Sequence, residues 1–99
     1  MALFKPTKEV NIEQYLILEV EKRKGRCLKL TIYKGIPDRL VLLPNGFIAF
    51  IETKTHNGRL SQMQKFWQRV LSGLGFRHLV INSKDQVEEF TKIYDLFSK

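Results

Sequence analysis

The run Phe47-Ile48-Ala49-Phe50-Ile51 constrains this chain more than any other stretch. Successive side chains of a strand point to opposite faces, so five apolar residues in a row need cover above and below. That is the pattern of a central strand in a layered sheet. Glu52-Thr53-Lys54 follows without a break, which puts Glu52 and Lys54 on one face and Thr53 on the other. Pro44-Asn45-Gly46 just before the run supplies a chain reversal, with Gly46 available for positive φ. Strands over 39–43 and 47–54 then form a hairpin that folds Asp38 back towards Glu52. Two carboxylates held close repel unless a cation sits between them, and hard divalent ions choose oxygen ligands. The plainer readings are a turn aspartate after Pro37 and a solvent-facing strand glutamate. Against them, an acid in an apolar strand is costly to bury without a cation or partner. The spacing reads as a metal site with a lysine beside it.

Around the hairpin, periodicity predicts an α-β-β-β-α-β-α order. Residues 11–24 read as a helix, with Asn11 as N-cap, an apolar face of Ile12, Leu16 and Val20 widened by Tyr15, Ile17 and Leu18, and Gly25 as the stop. Residues 27–33 alternate as a strand, with Leu28, Leu30 and Ile32 on one face and Lys29 and Thr31 on the other. After a loop at 56–59, Ser61 opens a helix carrying Met63, Phe66, Trp67, Val70 and Leu71, stopped by Gly73 and Gly75. Phe66 and Trp67 are expected in the core. Residues 78–82 form a strand, and Ser83 and Gln86 a capping box for a last helix with Val87, Phe90, Ile93, Leu96 and Phe97 inward. The fourth strand follows a helix, so the economical α/β packing is a mixed central sheet flanked by helices.

At 99 residues the chain suits one domain over 1–99. The lone Cys27 forms no internal disulfide, which suits a reducing compartment, and no metal cluster can be built from it and the two histidines, His56 and His78. No apolar run approaches the ~20 residues of a membrane helix, and residues 1–6 lack a signal peptide's apolar core. The net charge of +7 is uneven: residues 1–77 carry 14 Lys/Arg against 6 Asp/Glu, residues 78–99 carry 3 against 4. That basic excess suggests a polyanionic partner, most simply nucleic acid, although surface lysines also serve solubility. Lys22, Arg23, Lys24, Arg26, Lys29, Arg39, Arg59 and Lys65 are candidate backbone-phosphate contacts, which position without reading sequence. No helix-turn-helix, zinc finger or aromatic RNA-binding signature is present.

Four stretches, in order, resemble the virus-type replication-repair nuclease (VRR-NUC) branch of the PD-(D/E)XK nuclease fold. They are Ile12–Leu16, Gly35-Ile36-Pro37-Asp38-Arg39-Leu40-Val41, Phe50-Ile51-Glu52-Thr53-Lys54, and Gly58-Arg59-Leu60-Ser61 through Gln64. Glu-X-Lys alone is weak; the four together span most of the chain. One departure is a loop before Gly35 shorter than in many members. The resemblance implies a metal-dependent DNA endonuclease using Mg²⁺ or Mn²⁺, similar to Holliday-junction resolvases and selecting branched DNA by shape. It implies a stand-alone phage-like form acting in replication or repair in the cytoplasm of a bacterial or phage-infected cell. Nicking two symmetry-related strands from one site per chain implies a homodimer; Leu3, Phe4 and Tyr33 are candidate contacts. A non-catalytic basic DNA-binding module on the same fold and an RNA-directed nuclease remain alternatives.

A divalent ion held by Asp38 and Glu52 would neutralise phosphate charge and activate water. The resemblance adds the Thr53 carbonyl as a ligand and Glu13 as a carboxylate reaching the metal directly or through water. Glu13 also suits a helix N-terminus as an acid favoured by the dipole. Lys54 is assigned to orienting the attacking water and stabilising developing charge. Gln64 has two competing explanations, a site residue by resemblance and the N3 partner of a Ser61 capping box. Glu9, Glu19 and Glu21 have no counterpart and are expected in solvent.

Overall fold

In the computed structural model, which describes residues 11–54 and 58–99, the elements run α1 (Ile12–Lys22), β1 (Arg26–Lys29), β2 (Arg39–Leu43), a 3-10 turn (Pro44–Gly46), β3 (Phe47–Thr53), α2 (Gln62–Gly73), β4 (Arg77–Ile81) and α3 (Lys84–Phe97). The sheet order is β1-β2-β3-β4, with β1, β2 and β3 antiparallel and β4 parallel to β3. This is the expected mixed sheet. Asn45 and Gly46 both take positive φ at the hairpin turn, 69° and 73°. Pairing runs from Leu43 opposite Phe47 to Arg39 opposite Ile51, which sets Asp38 beside the Glu52–Thr53 end of β3.

Alternation along β3 sorts its residues onto two differently covered faces. Phe47, Ala49 and Ile51 are at most 1% exposed and join Leu16 and Val20 of α1 and Val87, Phe90 and Tyr94 of α3 in one core. Ile48 and Phe50 on the other face are half-buried, with the Phe50 ring meeting Phe76 just past α2 at 5.6 Å. Glu52 belongs to this second face, and α2 lies over that end of it. The apolar run thus needed two covers, and the thinner one carries the carboxylate.

Several local expectations are corrected. β1 stops at Lys29 instead of continuing to residue 33, and Leu28, Ile32 and Tyr33 are exposed. The chain leaves the sheet there to seat the 30–37 loop against α2. Gly35 holds φ +85°, and a Cβ on it would lie 2.5 Å from Met63 Cβ. The Leu30 N–H still donates to the Asp38 carbonyl at 2.8 Å, so loop and site residue move together. Gly35→Ala is expected to cost about 1–3 kcal/mol of stability, from left-handed strain and the clash with Met63. Urea denaturation checks this; an unchanged midpoint would contradict the seating described.

On α3, Val87 and Phe90 are buried as expected, but Thr91 and Tyr94 take the next inward places, and Ile93, Leu96 and Phe97 are exposed. The inward stripe keeps the i, i+3, i+4, i+7 spacing, whereas the apolar residues drift around the helix. Ser83 caps the Gln86 N–H, but Gln86 Oε1 accepts from Asn82 N–H, so the reciprocal half of the box closes one residue early. Phe66 is exposed and Trp67 only half-buried, not core residues, because Trp67 turns to the 30–37 loop, its indole N–H donating to the Lys34 carbonyl at 3.2 Å.

Candidate active site

The site gathers where the N-terminal end of β2, the C-terminal end of β3 and the first turn of α2 meet. Asp38 Oδ2 accepts hydrogen bonds from Thr53 N–H at 3.2 Å and Thr53 Oγ1 at 3.0 Å, locking the aspartate to the end of β3. Glu52 is 3% exposed. Its Oε2 accepts from Gln64 Nε2 at 2.9 Å and lies 3.6 Å from Lys54 Nζ, while Oε1 is buried with no hydrogen-bond partner among the described residues. Burial and then the charge of Asp38 push the Glu52 carboxyl up to about 7, against the pull of Lys54. A buried acid with one oxygen unpartnered is expensive for a fold to keep.

Gln64 resolves the competition between capping and site by doing both. Its Oε1 accepts from Ser61 N–H at 2.7 Å, completing the capping box, while its Nε2 donates to Glu52. The two ends of one amide serve the two purposes. The capping box fixes the rotamer, and the fixed rotamer aims a donor at the carboxylate.

Glu13 stands apart from this cluster. Its Oε2 accepts from Arg39 Nε at 2.7 Å, and Arg39 Nη1 donates to the Cys27 carbonyl at 3.2 Å. Glu13 still lines, with Asn11, Ile12, Thr53 and Lys54, a cleft of about 180 Å³ next to the site. Among the described residues no three His, Cys, Asp or Glu side chains converge as a metal cluster. A hard divalent ion would rely on two carboxylates, a carbonyl and water, a set that such ions accept. The unpartnered Glu52 oxygen beside Asp38 fits that requirement.

The candidate phosphate contacts divide. Arg39 is engaged with Glu13, its side chain 13% exposed, rather than projecting freely into solvent. Arg23 is likewise committed: it bridges α1 to α3 through Asp95 at 2.8 and 3.0 Å and also binds Glu19. Glu19, expected in solvent, is instead buried; burial raises its carboxyl, but Lys22 and Arg23 outweigh that and hold it below the ordinary value. Arg23→Gln is expected to lower stability by about 1 kcal/mol in a urea titration, since a bidentate interhelix pair is lost. Lys22, Lys24, Arg26, Lys29, Arg59 and Lys65 are exposed. His78 lies on β4 in register with Phe50, its imidazole held below the ordinary value by burial. Glu9, Leu3, Phe4 and His56 lie outside the described residues. Reading the sequence missed Lys34 and Arg69, further exposed cations, and the Tyr33–Trp67 stack at 5.6 Å; an aromatic one turn after Gln64 was the available signal.

Comparison with known proteins agrees with this fold. The model of the family described as "VRR-NUC domain" matches residues 6–85. The chain is 38% identical over 80 residues to "Putative nuclease p44" of Acyrthosiphon pisum secondary endosymbiont phage 1, covering 79% of this chain and 86% of the relative. A solved structure titled "VRR_NUC domain" superposes with a TM-score of 0.79 at 30% identity, covering 90% of this chain and 99% of that one.

Proposed function

The chain belongs to the VRR-NUC family of nucleases, and from that premise we propose a divalent-metal-dependent endonuclease acting on branched DNA in the manner of a Holliday-junction resolvase. The observation that carries the metal dependence is the buried Glu52 Oε1, unpartnered among the described residues and next to a second carboxylate. Asp38, Glu52 and the Thr53 carbonyl would hold the ion, Mg²⁺ or Mn²⁺. When bound, such an ion supplies Lewis-acid neutralisation of the phosphate and a more acidic water.

The chain's own groups do the rest. Thr53 fixes Asp38 through two hydrogen bonds, so the first carboxylate is oriented before anything binds. Gln64 performs the same service for Glu52, and its own orientation is set by the α2 cap. Lys54, on the Glu52 face of β3, presents a positive charge to a phosphate approaching the cleft and stabilises charge developing on it. The exposed cations Arg26, Lys29, Arg59 and Lys65 supply sequence-independent attraction to the backbone. A junction offers two symmetry-related strands, and one chain has one such site, so a two-fold homodimer is the working form.

The test is incubation with four-way junction, flap, duplex and single-stranded DNA and RNA, in Mg²⁺, Mn²⁺ or EDTA. Cuts confined to branched DNA and abolished by EDTA are expected. Binding without cutting in either metal would overturn the catalytic reading, and cutting confined to RNA would overturn the substrate.

A further inference from the structure

Tyr33, Phe66 and Trp67 form an ordered aromatic shelf that the active site does not use. Tyr33 is 61% exposed, yet its ring stacks on Trp67 at 5.6 Å with 21° between planes. Trp67 is pinned by its indole N–H on the Lys34 carbonyl and by an edge contact with Phe66 at 5.6 Å. Gly35, seated against Met63, fixes the loop from which Tyr33 projects. Tyr33 and Phe66 stay exposed in this arrangement and add little to the core.

Its position gives the shelf a use. Trp67 lies one helical turn beyond Gln64, which holds Glu52, and the loop bearing Tyr33 is hydrogen-bonded to Asp38 through Leu30. Charge surrounds it with one sign: Lys34 follows Tyr33, and Lys65 and Arg69 lie on the outward side of Phe66 around α2. An exposed π-face bordered by cations and carried by the same helix and loop as the site residues suits a nucleotide whose base has left its helix. A base still paired inside a duplex offers no free face to stack.

We propose that Tyr33 and Trp67 stack an unpaired base of the substrate beside the scissile phosphate, making them specificity-determining residues for DNA with splayed strands. The inference deepens the nuclease reading above and rests on it for the identity of the neighbouring site. It assigns selection of branched DNA partly to base stacking, in addition to backbone shape.

Trp67 is the single tryptophan of the chain, so its fluorescence reports directly on the shelf. The full chain in EDTA is titrated with oligothymidylate, with a flap bearing an oligothymidylate arm and with blunt duplex, and cleavage is assayed in parallel with Mn²⁺. Single strand and flap should quench the indole, and Tyr33→Ala should weaken their binding about tenfold relative to blunt duplex. Tyr33→Phe, which keeps the ring, should restore it. Equal loss for all three ligands, or no quenching by any, would overturn the proposal. An indole signal that follows protein concentration without DNA and vanishes in Tyr33→Ala would also overturn it, assigning the shelf to self-association. Cleavage that persists while Tyr33→Ala binds like wild type sinks the shelf alone; quenching and loss in Tyr33→Ala without cleavage in any metal sinks the nuclease reading alone.

Discussion

Glu52→Gln should abolish cleavage and yet stabilise the metal-free protein. Glutamine keeps an oxygen for Gln64 Nε2 but removes a charge that is 3% exposed beside Asp38. In the folded protein the Glu52 carboxyl is raised from its ordinary 4.5 to about 7. Below pH 4.5 both folded and unfolded chains are protonated there and no penalty exists. As pH rises through 7 the unfolded chain has already ionised, and the fold must either hold the proton or bury a charge. Stability is therefore lost between about pH 4.5 and 7, by at most about 3 kcal/mol for a shift of this size. In EDTA at pH 8, Glu52→Gln should exceed wild type by about 1–3 kcal/mol, and the gap should close at pH 4.5. Urea titrations at the two values measure this. A variant less stable than wild type at pH 8 would mean that the carboxylate is satisfied by the protein alone.

Lys54→Ala should reduce cleavage by at least about a hundredfold while leaving binding of branched DNA in EDTA nearly intact. Lys54 lies 3.6 Å from Glu52 Oε2 on the same face of β3 and is one cation among many on a chain of net charge +7, so its loss changes chemistry more than encounter. Removing it also withdraws the ammonium whose charge and hydrogen bond pull the Glu52 carboxyl down against burial. Single-turnover cleavage in saturating Mn²⁺ separates the two effects. Near-normal rates would take Lys54 out of the mechanism.

Much of this architecture was legible because the hairpin is strongly coded. Pro44-Asn45-Gly46 fixes the register, and once Leu43 opposes Phe47 the convergence of Asp38 and Glu52 follows by counting. The family resemblance added Gln64 and Glu13, which spacing alone does not single out. What escaped were features set by tertiary contacts. The 27–33 alternation looks like strand, but Gly35 must reach Met63, so pairing ends at Lys29. Arg23 and Arg39 look like any other surface cations until α3 and α1 bring Asp95 and Glu13 against them. Thr91 displaced Ile93 on α3 because helix geometry outranks hydrophobicity when the two disagree. Helical spacing places Trp67 inside, but its indole nitrogen needs an acceptor, which the Lys34 carbonyl supplies near the surface.

Titration calorimetry of Mn²⁺ into the DNA-free protein is the most direct measurement. Wild type should bind one ion per site with release of protons at pH 6, Asp38→Asn should bind far more weakly, and Glu52→Gln should show no heat of binding. Equal binding by all three proteins, or none by wild type at millimolar metal, would contradict the assignment of these carboxylates as a metal centre.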